Sequence, residues 1–244
     1  LCWSGNSVFA RGVADSLPPM NLSFWRWLVA LVVIAPLGFL SAYNQRHLYI
    51  KQLKLIITLS LFGIVGFNSL IYHSVQYTTV IQVAIITAFV PTGSVIASWL
   101  FYRERINFLT IIGMIVAFFG LVLVIFRGNL IDILDFKFTS GEALAFLAVV
   151  SWSIYSVNLR RIDSSINQKG LLFVMISIGL CLIAPLYALE VIVFKEVGVA
   201  SYINIMGIVY LGVFASVVAF ILFNRSVSKI GANRANGKYL LFLN

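Results

Sequence analysis

The sequence predicts an all-α polytopic membrane protein built from two inverted repeats of five transmembrane helices. Three observations support this fold class. Hydrophobic residues make up 61% of the 244 residues and charged residues only 10%, whereas soluble domains average about 45–50% and about 25%. The apolar residues form long unbroken runs, which favours helices over the alternating strands of a membrane barrel. A segment near the start of the chain also recurs later in it.

Nine apolar segments, separated by polar or charged loops, predict the individual helices. They cover Leu1–Ala14, Leu22–Tyr43, Leu53–His73, Thr79–Tyr102, Phe108–Phe126, Gly141–Leu159, Leu171–Phe194, Tyr202–Phe223 and a last helix that starts near Ala232. Pro91 lies at the middle of the fourth helix, where we expect a kink. The first and ninth segments are shorter than a full span. We therefore expect about eight and a half to nine of the ten helices of an intact protein.

The distribution of lysine and arginine predicts how the helices are oriented. Most of the basic residues follow the second, fourth, sixth and eighth helices: Arg46, Lys51, Lys54, Arg103, Arg105, Arg160, Arg161, Lys169, Arg225, Lys229, Arg234 and Lys238. The opposite loops hold only Arg127, Lys137 and Lys195. Because cytoplasmic loops carry the excess of basic residues, we expect a cytoplasmic N-terminus, in the inner membrane of a bacterium.

An internal repeat divides the chain into two halves. Residues 1–40 align without a gap on residues 150–189, with 14 identities. We therefore predict a first repeat over 1–126, a linker over 127–140 and a second repeat over 141–244. Five helices is an odd number, so the two repeats must insert with opposite orientations. Inverted repeats are typical of carriers, which hold a substrate near the midplane between the halves.

Several local motifs support a relationship to a known family. They are Trp3-Ser4-Gly5-Asn6, Pro18-Pro19, Phe24-Trp25-Arg26-Trp27, Val90-Pro91, Arg103-Glu104-Arg105, Gly113 with Gly120, and Trp152-Ser153 in the second half. With these motifs the chain resembles the EamA-like branch of the drug/metabolite transporter superfamily over essentially its whole length. The resemblance implies a ten-helix fold with a central cavity lined by helices one, three, four, six, eight and nine. It also implies similarity to bacterial exporters of amino acids and drugs.

The predicted function is a secondary-active or facilitative transporter that exports small organic solutes by alternating access between the repeats. Amino acids, aromatic metabolites and drugs are the expected solutes. The alternative is a sugar-phosphate or nucleotide-sugar exchanger, which the superfamily also contains. Polyanionic substrates need several cations in the cavity, and the predicted core offers at best Lys238 with Arg234. A membrane-embedded enzyme or a channel is less favoured, because the sequence shows no catalytic cluster and a channel does not explain the inverted repeat.

Polar and aromatic residues inside the apolar helices are the candidates for the substrate cavity, because such groups usually face a cavity or another helix. The candidates are Trp3, Asn6, Ser7, Asn68, Tyr72, Gln82, Trp152, Tyr155, Asn158, Asn224 and Lys238. Interhelical hydrogen bonding and packing are the alternative role for each of them. The cavity position of Lys238, where it would hold an anionic group, is implied only by the family pattern.

Five further residues are assigned structural or gating roles: Arg26, Pro91, Glu104, Gly113 and Gly120. For Arg26 the sequence leaves open a substrate carboxylate, a helix end, or snorkelling to the outer surface, and it favours the last two. Glu104 indicates a clasp at the cytoplasmic end of the fourth helix. Gly113 and Gly120 form a small-residue stripe that predicts helix packing.

The sequence shows no nucleotide-binding, metal-binding or catalytic motif, so we expect no enzyme activity and no cofactor. The net charge of +9 is concentrated in the loops, which argues against a nucleic-acid partner. The expected partners are a small-molecule substrate, the lipid bilayer and, as an option, a second copy of the chain in a homodimer. The acidic residues lie at helix ends or in loops, which predicts facilitated diffusion or exchange rather than proton coupling.

Overall fold

The computed structural model describes residues 4–13, 16–125, 139–195, 198, 201–231 and 235–236. All regular secondary structure in these residues is helical. Six helices are long and apolar enough to cross a membrane, and Phe108–Gly120 is a shorter apolar helix. The chain is therefore an all-helical polytopic membrane protein, as the composition predicts. The predicted linker at 127–140 and the ninth helix fall almost wholly outside the described residues.

Eight of the described helices correspond to predicted membrane segments, and we number them in chain order. They are α1 (Ser4–Gly12), α2 (Pro19–Asn44), α3 (Leu53–Tyr77), α4 (Val80–Tyr102), α5 (Phe108–Ile125), α6 (Ser140–Leu159), α7 (Gln168–Ile192) and α8 (Tyr202–Lys229). A short helix, Arg46–Lys51, lies between α2 and α3. These bounds agree with the predicted helices to within a few residues, apart from extensions at the ends of α3 and α8.

Local capping explains several of the bounds. α2 begins at Pro19, three residues earlier than its apolar run, because proline needs no N–H partner at the first helical position. α7 begins at Gln168 because the Asn167 side chain accepts from Lys169 N. α4 is interrupted at Ala88 and Phe89, and Pro91 lies in the first turn of its second segment. The expected kink is therefore a short break between two helical segments.

Two wide π-helical turns occur at matching places in the two halves. One covers Ser60–Gly66 in the middle of α3, and the other covers Leu211–Val218 in the middle of α8. Wide turns of this kind leave helix carbonyls available to side chains and are frequent at functional sites. Their matching positions extend the sequence repeat from the first two helices of each half to the third.

The two halves are interlocked rather than side by side. α2 packs mainly against α7, α3 against α6, and α4 against α6. α5 lies at the edge of the described bundle, and side chains such as Phe108, Leu109 and Phe119 are exposed. This exposed apolar surface is what a lipid-facing helix presents.

Contacts at the two ends of the bundle show that the repeats are inverted. Where α2 begins and α7 ends, the Glu190 carboxylate accepts from the backbone N–H groups of Met20 (2.9 Å) and Asn21 (2.7 Å). At the opposite end, Arg160 pairs with Glu104 at 2.6 Å. We call these the Glu190 end and the Glu104 end. Arg11, the sequence equivalent of Arg160, donates instead to Val75 O at the Glu190 end, so α1 and α6 run in opposite directions.

Candidate functional site

A buried arginine lies within the bundle, about two turns after the start of α2. Arg26 is 0% exposed. Its Nε donates to Ser216 Oγ at 2.7 Å, and its Nη1 donates to Asn6 Oδ1 at 3.1 Å and to Asn68 Oδ1 at 2.8 Å. Nη1 also contacts the Tyr72 hydroxyl. We call these five residues the arginine cluster; it joins α1, α2 and α3 of the first repeat to α8 of the second.

The π-helical turns orient two members of the arginine cluster. Asn68 follows the turn in α3, and its Nδ2 donates to Gly63 O at 3.3 Å, which leaves Oδ1 free to face the guanidinium. Ser216 lies in the turn of α8, and its hydroxyl donates to Leu211 O at 2.9 Å. The oxygen of Ser216 is then available as an acceptor for Arg26. The orientation of each acceptor is therefore fixed by a hydrogen bond within its own helix, independently of Arg26.

An aromatic cluster occupies the corresponding place in the second repeat. It consists of Trp152 and Tyr155 of α6, Phe220 and Phe223 of α8, and Phe67 of α3, with ring centroids 4.7–6.3 Å apart. The Tyr155 hydroxyl donates to Asn224 Oδ1 at 2.6 Å. Trp152 Nε1 donates to Asn236 Oδ1 at 3.2 Å, and Asn236 Nδ2 donates to Ser94 Oγ at 2.6 Å.

The two clusters contain one interaction in common, with the residue types exchanged. In the first repeat, Tyr72 of α3 donates to Asn6 Oδ1 of α1 at 2.7 Å. In the second repeat, Tyr155 of α6 donates to Asn224 of α8. The sequence repeat aligns Asn6 with Tyr155, and the two π-helical turns align Tyr72 with Asn224. Each half thus has a buried Asn–Tyr bond between equivalent helices.

The clusters also differ in charge. Arg26 aligns with Met175 in α7, so the guanidinium has no basic counterpart in the second repeat. Trp27 connects the clusters, because the Arg26 Cζ atom lies 4.9 Å from the Trp27 ring centroid and that ring lies 5.4 Å from Phe220. Among the described residues, the result is one continuous polar and aromatic core between the repeats, with its charge in the first repeat only.

The structure brings together six of the predicted cavity residues and separates two others. Asn6, Asn68 and Tyr72 meet in the arginine cluster, and Trp152, Tyr155 and Asn224 meet around the aromatic cluster. Gln82 belongs instead to the capping box that starts α4. Asn158 accepts from the Tyr102 hydroxyl near the Glu104 end. Trp3, Lys238 and the side chain of Ser7 lie outside the described residues.

The snorkelling expected for Arg26 is wrong. Its guanidinium lies inside the bundle, where Nε and Nη1 donate to four neutral acceptors contributed by other helices. Ser216, Trp27 and Asn236 were not among the predicted residues. Ser216 carried the same signal as the predicted residues, a polar group in the middle of an apolar run.

The other assigned structural residues have simpler surroundings. Glu104 is paired with Arg160 rather than with its neighbours in sequence, and the Arg160 Cζ atom lies 4.2 Å from the Tyr102 ring centroid. Apart from its chain neighbours and the backbone of its own helix, no described atom lies within 4 Å of a Cβ built at Gly113 or Gly120. The helix packing expected there stays a prediction. The described residues also contain no group of three His, Cys, Asp or Glu side chains placed to hold a metal ion.

The long apolar helices, with buried polar pairs that match between the two halves, define the chain as a polytopic membrane protein. The sequence profile of the EamA-like transporter family matches residues 1–126 and again 139–236. The chain therefore belongs to the EamA-like transporter family and is a membrane transporter.

Three relatives illustrate this membership. The chain is 25% identical over 230 residues to the uncharacterized transporter YyaM of Bacillus subtilis, covering 93% of this chain and 74% of that protein. It is 24% identical to the uncharacterized transporter YetK of the same organism, covering 92% of this chain and 68% of YetK. An uncharacterized transporter of Archaeoglobus fulgidus is 22% identical, and the match covers 91% of this chain and 75% of that protein. No solved structure matches the chain significantly.

Proposed function

We propose that this transporter exports small organic solutes, such as amino acids, aromatic metabolites or drugs, by alternating access between its repeats. The observation that carries the proposal is the pair of buried Asn–Tyr bonds, Asn6 with Tyr72 and Asn224 with Tyr155. Two equivalent halves that meet at equivalent polar groups can exchange conformations around one central site. The rings of Trp27, Trp152 and Phe220 supply apolar surface for the body of a solute.

Contacts between the repeats at both ends support alternating access. Glu190 of α7 holds the start of α2, and Arg160 after α6 holds Glu104 after α4. Arg26, Tyr72, Tyr155 and Asn224 are each at most 1% exposed, so these core residues are closed off from solvent in this conformation. A carrier that works by alternating access breaks one set of end contacts at a time.

The alternative, a sugar-phosphate or nucleotide-sugar exchanger, requires several cations around a polyanion. Among the described residues, Arg26 is the one buried lysine or arginine. A solute with at most one anionic group fits this core better. The buried carboxylates of the described residues, Glu142 and Glu190, both accept hydrogen bonds at helix starts. That placement favours transport driven by the solute gradient over proton coupling.

Transport by the purified protein in liposomes tests the proposal. The screen covers amino acids, phosphorylated sugars and cationic dyes, with protein-free liposomes as the control. We expect transport of amino acids or dyes, unaffected by a protonophore. Transport of phosphorylated sugars alone contradicts the solute class, and solute accumulation that a protonophore abolishes contradicts the gradient-driven mode.

A cross-linking experiment tests alternating access separately. Cys2 and Cys181 are replaced by serine, and cysteines are introduced as Glu104→Cys and Arg160→Cys. A short bis-maleimide that joins the new pair should stop transport, because the Glu104 end can no longer open. Each single cysteine variant, treated in the same way, should keep transporting. Full transport by the cross-linked protein would rule out opening at this end.

A further inference from the structure

Three buried donor groups in the core have no hydrogen-bond acceptor among the described residues. They are Arg26 Nη2, Trp27 Nε1 and Asn224 Nδ2. Buried polar groups are normally paired, and a buried donor without an acceptor destabilises the folded protein. All three of these atoms are N–H donors. The core between the repeats therefore has a surplus of donors, which an acceptor-rich ligand would satisfy.

The three donors belong to one connected part of the core. Trp27 follows Arg26 on α2 and packs edge-on against Phe220, with the ring centroids 5.4 Å apart. On the other side of Phe220, the Tyr155 ring lies 6.0 Å away and holds Asn224 through its hydroxyl. The surplus donors thus surround an aromatic surface that connects the two clusters.

The same part of the core carries an uncompensated positive charge. Every described side chain that hydrogen-bonds Arg26 is neutral: Asn6, Asn68, Tyr72 and Ser216. The one salt bridge among the described residues joins Arg160 and Glu104 at the bundle's end. A buried charge inside a membrane bundle is costly, and such residues commonly mark substrate pathways.

We propose that Arg26 binds the carboxylate of the transported solute, whose apolar or aromatic body lies on the rings of Trp27, Phe220 and Tyr155. Nε and Nη2 form one edge of the guanidinium, which matches the two oxygens of a carboxylate. Nη2 is unpaired, and Nε is held by the Ser216 hydroxyl. When the repeats separate, one carboxylate oxygen accepts from Nη2, and the other replaces the Ser216 hydroxyl as the acceptor for Nε. The inference rests on the proposed function and narrows its substrate class.

Matched solute pairs that differ only in the carboxylate test the assignment. The pairs are phenylalanine and phenylalaninamide, leucine and leucinamide, and benzoate and benzamide, each followed in liposomes. We expect at least one carboxylate to move about tenfold or more faster than its amide. In Arg26→Gln the ratio of the carboxylate transport rate to the amide transport rate should fall towards one. Arg11→Gln is the matched control, because Arg11 donates to Val75 O at the bundle's end, and it should keep the preference.

A second variant remains informative if Arg26→Gln does not fold. Asn68→Asp places an internal carboxylate beside Arg26 with almost no change in shape, since Asn68 Oδ1 already lies 2.8 Å from Nη1. The variant should lose carboxylate transport by about tenfold or more, because the guanidinium is already neutralised. An unfolding curve checks that it is folded, since an aspartate cannot donate to Gly63 O as Asn68 Nδ2 does. A purely structural arginine predicts unchanged transport by the folded variant.

The outcomes separate the two proposals. Transport of amides or cations without carboxylates, or an unchanged preference in Arg26→Gln, overturns the role of Arg26 and leaves the transporter proposal standing. Unchanged carboxylate transport in Asn68→Asp also overturns it. If the protein moves no solute of any class above the protein-free control, the proposed function fails, and the inference fails with it.

Discussion

The backbone of Gly63 lies directly against the ring of Tyr155. A Cβ atom built at Gly63 would lie 2.4 Å from Tyr155 Cδ2, closer than any van der Waals contact. This approach lets the π-helical turn of α3 pack on the ring that carries the Asn224 bond. The Tyr155 ring has little freedom to move away, because it also packs against Trp152, Phe220 and Phe223.

Gly63→Ala should therefore destabilise the protein by about 1–3 kcal/mol, the usual cost of overpacking a core. The measurement is thermal unfolding of the purified protein in detergent. Gly113→Ala is the matched control, because no described atom beyond its chain neighbours and its own helix backbone lies within 4 Å of its Cβ position. The control should be neutral or stabilising by up to about 1 kcal/mol, since alanine is the better helix former. Equal effects of the two changes would contradict the close packing of α3 on α6.

Tyr155→Phe should lower the free energy of unfolding by about 1–3 kcal/mol, because Asn224 Oδ1 loses its donor while it stays buried. Tyr202→Phe is the control, since Tyr202 is 78% exposed and its change should cost almost nothing. Combining Tyr155→Phe with Asn224→Leu should cost clearly less than the sum of the two single changes. Strict additivity would show that the Tyr155–Asn224 bond does not form.

Glu190→Gln should destabilise the protein more than Glu104→Gln does. Glu190 is 6% exposed, and both of its carboxylate oxygens accept from backbone N–H groups at the start of α2. A glutamine offers one acceptor oxygen and no charge, so we expect a cost of about 1–3 kcal/mol. The exposed Glu104–Arg160 pair should contribute about 1 kcal/mol or less. Unfolding measurements that reverse this order would contradict the assignment of Glu190 as the cap of α2.

Cysteine labelling in intact cells tests the orientation predicted from the basic loops. In a background without Cys2 and Cys181, Asn44→Cys and Ser164→Cys place thiols at the Glu104 end, and Tyr202→Cys places one at the Glu190 end. The first two should resist a membrane-impermeant maleimide until the cells are lysed, because the predicted orientation places the basic loops in the cytoplasm. Tyr202→Cys should react in intact cells. The opposite pattern would invert the orientation, and labelling of all three would contradict the topology.

The sequence predicts the helices well because each is a long apolar run with a recognisable boundary, such as Pro19 for α2 and Asn167 for α7. The π-helical turns carry no such signal, since the composition of Ser60–Gly66 also suits an ordinary helix. Short-range patterns do not reveal a change in the hydrogen-bond register of a helix. The short helix Arg46–Lys51 was missed for a related reason, because a charged loop and a short amphipathic turn look alike in sequence.

The candidate site was only partly predictable. Asn68, Tyr72 and Tyr155 stand out as polar groups in apolar helices, and the structure brings each to an interface between helices. The burial of Arg26 was not predictable, because a basic residue near a helix start favours snorkelling or a helix end. Only the acceptors contributed by other helices indicate burial, and one of them, Ser216, lies 190 positions away.

The replacement of Arg26 by Met175 at the equivalent position of the second repeat has a kinetic consequence under the proposed function. Two identical repeats would give the outward-open and inward-open forms equal energy, since exchanging the repeats converts one form into the other. A buried charge at this position in one repeat and not at the equivalent position of the other removes this degeneracy. The empty carrier then has a preferred resting side, and the half-saturation concentrations measured from the two faces of the membrane should differ.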